Sequence, residues 1–336
     1  MIREAIAKLI ESKSLSKEEM KKVMEEIMSG EALPTQIASF LTALRMKGET
    51  VEEISGAVET MRKFAISVKV DSEVIFDACG TGGDGLRTFN ISTVSSFVIA
   101  GAGVVVAKHG NRSVSSQCGS ADLVEALGVN IEADKEIVER CLKEIGIGFL
   151  FAPKFHPAMK YATPVRRELG IRTIFNLVGP LTNPAGATNQ LLGIYDDKLG
   201  KKVAQVLGSL GTRHVLVVHG LDGLDEVSTN AETFVWEWYK GELKEYKIAP
   251  EDFGIKRSSL DKLKTPDLET SKKIALEVLE GKESPYYDIV VLNSGCGLYA
   301  ADKVKDIKEG VNMAREVIKK GRAKKKLEEL IKYTRL

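Results

Sequence analysis

The chain has 336 residues, 43% hydrophobic and 28% charged, enough for two domains or for one large α/β domain with a small companion. A formal net charge of +1 supplies no field that would gather nucleic acid or anionic lipid, so any anion binding must be local. No apolar run approaches the roughly 20 residues that span a bilayer, and the opening MIREAIAKLIESK interleaves charges with apolar residues, unlike a signal peptide. Cys79, Cys118, Cys141 and Cys296 are scattered without zinc-like spacing, and His109, His156, His214 and His219 form no HxxxH pair. A reduced, cytoplasmic location is the expectation, with neither nucleic acid nor membrane as partner.

Residues 1–66 are predicted to form four short helices. Ile2, Ile6, Leu9 and Ile10 recur at helical spacing. Ser16 with Glu19 makes a capping-box pattern that opens a second helix, and Gly30 is placed to end it. Pro34 suits the start of a third, running to Gly48, and Thr50 with Glu53 opens a fourth. From Val68 onward strands and helices alternate. Strands are expected at 73–78, 104–109, GFLF, 214–220 and YYDIVVLN (286–293), with a hairpin around Lys240-Gly241. Helices are expected near 92–101, 134–146 and 197–210, over TSKKIALEVLEG, and twice at the end of the chain. The alternation argues for an α/β fold with a mostly parallel central sheet flanked by helices, with ligands at the carboxyl ends of its strands.

Three stretches carry chemistry. GTGGDG at 80–85 follows a strand and also satisfies G-x-G-x-x-G. A dinucleotide site would want an acidic residue about 20 residues on, but the next strand ends in Lys108-His109, which favours a more negative ligand. Ser92 is a good N-cap candidate, and Thr88, Asn90 and Thr93 beside it would aim hydroxyls and amides into the same crevice. Lys108 to Ser116 adds a lysine, an arginine and several hydroxyls. The third stretch, HGLDGLDEVS at 219–228, again leaves a strand. Its Asp225 and Glu226 are placed to reach metal ions from a tight loop, and magnesium prefers few carboxylates plus phosphate oxygens.

These blocks, with KHGNRSVSSQCGSADLVEALG (108–128) and FHPAMKYATPVRRELGIRTIFNLVGPLTNPA (155–185), resemble the anthranilate phosphoribosyltransferase family over nearly the whole chain. The resemblance implies a small all-helical N-terminal domain at 1–67, joined by helices from about 164–184 and carrying a homodimer interface. A large α/β domain at 68–336 would bind the phosphoribosyl donor. It further implies transfer of the 5-phosphoribosyl group from phosphoribosyl pyrophosphate to the amine of anthranilate, in tryptophan biosynthesis. The donor would be held by Gly80, Gly83, Asp84, Thr88, Asn90, Ile91, Ser92, Thr93, Lys108, Gly110, Asn111, Arg112, Ser113, Ser115, Ser116 and Ser120. Anthranilate would meet Gly80, His109, Asn111 and Arg166, and two Mg²⁺ ions per subunit would bind through Ser92, Asp225 and Glu226. Lys108, His109 and Asp84 are the catalytic candidates, His109 as a ring contact before a base. The rival readings are a pyrimidine-nucleoside phosphorylase of the same fold and a catalytically silent nucleic-acid-binding relative.

Overall fold

The computed structural model describes residues 1–112 and 118–336. Its first four helices are α1 (Ile2–Ile10), α2 (Lys17–Ser29), α3 (Pro34–Lys47) and α4 (Val51–Phe64). Their ends follow the expected chemistry. Ser16 Oγ accepts the Glu19 N–H at 3.3 Å while the Glu19 carboxylate accepts the Ser16 N–H at 2.9 Å, and Gly30 closes α2 with a left-handed φ of 81°. The Thr50–Glu53 box does more than cap α4. Glu53 is fully buried and accepts from Thr50 N (2.8 Å), from Leu15 N (2.9 Å) and from Lys47 Nζ (2.8 Å), tying α4 to the α1–α2 link and to the end of α3.

The chain then runs through β1 (Ile75–Gly80), α5 (Ile91–Gly101), β2 (Val105–Gly110), α6 (Ser120–Ala126), α7 (Lys135–Glu144) and β3 (Ile147–Phe151). It continues as α8 (Ala152–Phe155), α9 (Thr163–Leu169), α10 (Ile174–Val178), β4 (Asn189–Gly193), α11 (Gly200–Ser209), β5 (His214–Gly220), β6 (Thr233–Tyr239) and β7 (Glu242–Ile248). Four helices complete it: α12 (Leu268–Leu279), α13 (Pro285–Ala300), α14 (Ile307–Lys319) and α15 (Arg322–Tyr333). Helices α9 and α10 pack on α3 and α4, and Val165, Phe175 and Val178 share one apolar core with Phe40, Leu44 and Val58.

The seven strands form one sheet in the order β3-β2-β1-β4-β5-β6-β7. The first five are parallel and the β5–β6–β7 end is antiparallel. Phe76 and Ala78 of β1 face a core built with α5, α13, α14 and α15, whereas Ile75 and Cys79 face the side covered by α7 and α11. β1 pairs with β2 on one side and β4 on the other, so the direction of winding reverses at β1 and opens a crevice at its carboxyl end.

Three expectations are corrected. Residues 286–293 are not a strand: they lie inside the 16-residue helix α13, apolar on nearly every side because it is buried between the sheet and α14. Gly295 and Gly297, which look like helix breaks, are packing notches. A Cβ on Gly295 would press on Val311 of α14, and one on Gly297 on Ile99 and Phe76. The central strand β4 was not expected, since Asn189-Gln190 gives it a polar start. Ser92 is not the N-cap of α5; the helix starts at Ile91 after Asn90, and the Ser92 N–H is satisfied by the Glu226 carboxylate at 3.1 Å.

Removing one partner of the buried Glu53–Lys47 pair strands the other charge. Glu53→Ala is therefore expected to cost about 3 kcal/mol of unfolding free energy. The exposed Lys325→Ala should stay within about 0.5 kcal/mol. Urea titration of the two variants checks the contrast.

Candidate active site

The site forms where β1 and β4 end together, with Gly80 and Gly193 paired in register. The loop that leaves β5 lies directly across both ends. A Cβ on Gly80 would collide with the Asp225 carboxylate, and one on Gly193 with the Asp225 main-chain carbonyl. Only glycine admits that approach. The loop is anchored from behind by Asn293 of α13, which donates to Val227 O at 2.8 Å and accepts the Val227 N–H at 3.0 Å.

The glycine-rich turn closes over the loop from the other side. Gly82, Gly83 and Gly85 take left-handed φ values of 65°, 80° and 76°. The Gly82 N–H donates to Asp225 Oδ2 at 2.7 Å. Asp225 is thus held by the turn, and Glu226 by the first turn of α5. Asp84, whose carboxylate accepts the Leu86 N–H at 3.0 Å, is close enough for its charge to act on both acids.

Burial is the largest force on these acids. It pushes Asp225 well above the usual carboxylate range, helped by the charges of Asp84 and Glu226. Burial likewise raises Glu226 to about 7, although Lys108 and the hydrogen bonds from Ser92 pull it down. Carboxylates so placed are stabilised by an added cation. Among the described residues no group of three or more His, Cys, Asp or Glu could hold a metal ion unaided. The donor set therefore fits a magnesium ion that draws its remaining ligands from substrate oxygens and water.

Lys108, nearly fully buried at the end of β2, donates from Nζ to the His109 carbonyl at 3.0 Å. Beneath it lies Asp77, fully buried in β1, which accepts the His109 N–H at 3.2 Å and Asn183 Nδ2 at 2.8 Å. Asn183 also donates to Ala107 O at 2.8 Å, so the GPLTNPA segment serves as a brace for the ends of β1 and β2. Burial raises the Asp77 carboxyl and the Lys108 charge opposes it.

The His109 ring faces His156, with centroids 5.2 Å apart. Neither Nε2 has a hydrogen-bond partner among the described residues. Burial holds His109 well below its ordinary value and His156 at about 4, so both are neutral at pH 7. His109 therefore offers a ring face more readily than a base. His214 belongs to the opposite edge of the sheet, between Asp302 (2.8 Å) and Glu237 (2.9 Å).

The other expected residues divide. Gly110 lies against Ser120, whose Oγ accepts the Asn111 N–H at 3.1 Å, and Asn90 Nδ2 donates to the Cys118 carbonyl at 3.1 Å; these hold the two ends of the β2–α6 loop near α5. Thr93 has a buried hydroxyl with no partner among the described residues, and Thr88 bridges to Lys264. Ile91 buries its side chain in the core, leaving only its main chain for a ligand. Arg112 is turned away, paired with Asp122 (2.9 Å) and Glu125 (2.7 Å). Arg166 stands apart on α9, its guanidinium 5.3 Å from the Phe175 ring centroid and its pKa lowered by burial, whereas Arg167 is exposed. Ser113, Ser115 and Ser116 lie outside the described residues. Sequence reasoning missed Asp77, Asn183, Gly193 and Asn293, and it gave no role to His156 or Arg172 although both lie in blocks it singled out.

Comparison with known proteins agrees with this layout. The model of the glycosyl transferase family α/β domain matches residues 72–324, and that of the family's helical bundle domain matches residues 3–65. Anthranilate phosphoribosyltransferases from Citrifermentans bemidjiense and Persephonella marina are 51% and 52% identical, over 99% and 100% of this chain and 99% of each relative. The chain belongs to the anthranilate phosphoribosyltransferase family. Among solved members, the Thermus thermophilus enzyme superposes with a TM-score of 0.94 at 45% identity, covering 99% of both chains. The Saccharomyces cerevisiae enzyme in complex with phosphoribosyl pyrophosphate and Mg gives 0.92 at 30% identity, over 99% of this chain and 98% of that one. The same yeast enzyme has been solved with 4-fluoroanthranilate.

The neutral histidines give a pH signature. His156 has a folded pKa of about 4 against an ordinary 6.5, so its contribution to stability is complete above pH 6.5 and is lost as pH falls through 4. Stability should therefore drop below pH 6.5, by up to about 1.4 kcal/mol per pH unit for each proton taken up on unfolding. His156→Gln should flatten that acid limb in urea unfolding series, and an unchanged slope would contradict the assignment.

Proposed function

We propose that this chain transfers the 5-phosphoribosyl group from phosphoribosyl pyrophosphate to anthranilate, giving N-(5-phosphoribosyl)anthranilate and pyrophosphate, as a step of tryptophan biosynthesis. The observation that carries the reading is the seating of the Asp225–Glu226 loop on two strand-end glycines, beneath the glycine-rich turn and near buried Lys108. An uncompensated acid group beside main-chain amides suits a metal-bound diphosphate. The yeast relative's complex with phosphoribosyl pyrophosphate and Mg supports the choice of both ligands.

In the transfer the anthranilate nitrogen forms a bond to the ribose anomeric carbon while the bond from that carbon to the pyrophosphate oxygen breaks. The leaving pyrophosphate takes the electron pair, and the nitrogen, now bonded to the sugar, gives one of its two protons to solvent water. Bound through Ser92, Asp225 and Glu226, two magnesium ions per subunit would neutralise the leaving group. Gly80, Gly83 and the amides at the start of α5, from Asn90 through Thr93, would line the diphosphate. Lys108 adds fixed positive charge in a dry environment. Thr88, Gly110, Asn111, Arg112, Ser113, Ser115, Ser116 and Ser120 would also hold the donor. Anthranilate would lie near Gly80, with Asn111 and the neutral His109 ring at its aromatic face and Arg166 gripping its carboxylate. Catalysis is then positioning plus electrostatics, with no covalent enzyme intermediate.

Residues 1–67 with the helices of 164–184 are proposed as one body, and 68–336 as the donor-binding body. Ile10, Leu33 and Met46 are 72%, 56% and 84% exposed on the helical body, which supports a homodimer joined there. Cys79, Cys141 and Cys296 are buried thiols in no disulfide, which suits a cytoplasmic setting; among the described residues no helix is long and apolar enough to cross a membrane.

Mixing the protein with anthranilate, phosphoribosyl pyrophosphate and magnesium should extinguish anthranilate fluorescence. No turnover, together with phosphorolysis of uridine or thymidine, would overturn the reading. Glu226→Gln should slow transfer roughly tenfold or more and weaken the magnesium dependence, as a charged acceptor is lost. An unchanged magnesium titration would count against it. Arg166→Ala should raise the anthranilate KM about tenfold to a hundredfold, as a charged hydrogen-bond donor is lost, while the donor KM hardly moves.

A further inference from the structure

The glycine-rich turn has an anchor outside the sheet. Arg172 lies in the link between α9 and α10, the helices that pack on α3 and α4. Its Nη2 donates to the carbonyl of Gly83, and its guanidinium carbon lies 4.1 Å from the Tyr195 ring centroid. Tyr195 follows β4 by two residues and donates its own N–H to Thr81 Oγ1 at 3.1 Å. The Arg172–Tyr195 pair thus holds the turn at both Thr81 and Gly83. A Cβ at Gly83 would meet Arg172 Nε at 3.3 Å, so glycine also makes room for the contact. Arg172 makes no ion pair among the described residues; carbonyl and ring are what hold it.

The consequence follows from peptide geometry. The Gly83 carbonyl and the Asp84 N–H belong to one planar trans unit and point opposite ways. Holding the carbonyl on the Arg172 side therefore fixes the direction of the Asp84 N–H, and with it the course of the turn whose Gly82 amide holds Asp225. Left-handed glycines on both sides of Asp84 leave the turn little stiffness of its own.

We propose that Arg172 is a positioning residue for donor binding: stacked on Tyr195, it pins the Gly83–Asp84 peptide and so holds the glycine turn, with the Gly82 amide on Asp225, in shape for the diphosphate. The proposal rests on the donor-site reading above, and it makes the helical body responsible for the shape of the turn. Guanidinium is required because one planar fork must both lie over a ring and donate at its edge, which an ammonium does not reproduce.

The test compares wild type, Arg172→Ala, Arg172→Lys and Tyr195→Leu. Arg172 is exposed, so its variants should fold with the wild-type melting temperature. In the substrate-free protein, amide exchange over residues 80–88 should quicken about tenfold in Arg172→Ala, the loss of one charge-assisted hydrogen bond. The KM for phosphoribosyl pyrophosphate should rise about tenfold in Arg172→Ala, while the anthranilate KM stays within about twofold. Tyr195→Leu should move both readouts the same way, and Arg172→Lys should recover less than half of either. Unchanged exchange at 80–88, equal effects on both KM values, or full recovery by lysine would each overturn the proposal. Absence of transfer in the wild type would instead remove the functional reading, while the exchange measurement would still decide whether Arg172 pins the turn.

Discussion

Much of the carboxyl edge of the sheet depends on one steric fact: the acidic loop after β5 lies on two strand ends that carry no Cβ. Gly80 and Gly193 are paired across β1 and β4, and a methyl group on either would meet Asp225. That approach buries two adjacent acids that have no salt bridge among the described residues, and burial of this kind is unfavourable unless donors or cations are supplied. The chain supplies donors one by one. The Gly82 amide serves Asp225, the Ser92 amide serves Glu226, and Asn293 holds the backbone behind them. What the described residues do not supply is a full complement of positive charge, Lys108 acting on Glu226 against the burial of both acids, and that deficit is the physical argument for a bound cation.

The same economy explains why three nearby titratable groups are kept neutral or braced. His109 and His156 lie ring to ring and uncharged, so a cation is not added beside the place where Arg166 is proposed to meet a carboxylate. Asp77, fully buried, lies under Lys108 and is fixed by Asn183 and the His109 amide, keeping β1 and β2 in step where both strands enter the crevice. The proposed site draws on two parts of the fold. The glycine turn, the acidic loop and the start of α5 come from the sheet, while Arg166 and Arg172 come from segments packed on α3 and α4.

Local signals were legible where the physics is local. The capping boxes at Ser16 and Thr50, the stop at Gly30, the hairpin at Lys240-Gly241 and the strand–turn–helix around GTGGDG all formed as the sequence predicts. Failures came where tertiary burial overrides periodicity. Within residues 286–293 the apolar stretch Ile289–Leu292 is too short for its pattern to separate a buried strand from a buried helix, and Gly295 and Gly297 look like breaks when they are notches for α14 and α5. β4 hid behind its polar start. In the site, the residues that would touch substrate were visible because they cluster within motifs. The braces Asp77, Asn183 and Asn293 were not, because each acts on a segment distant in sequence, as Asn293 does on Val227.

Calorimetric titration of phosphoribosyl pyrophosphate, with and without magnesium, addresses the acidic pair most directly. If Asp225 and Glu226 form a donor site completed by a cation, binding should be tight with magnesium and at least about tenfold weaker with the metal chelated. Equal affinity in both conditions would contradict a metal-completed site and return the buried acids to a purely structural role.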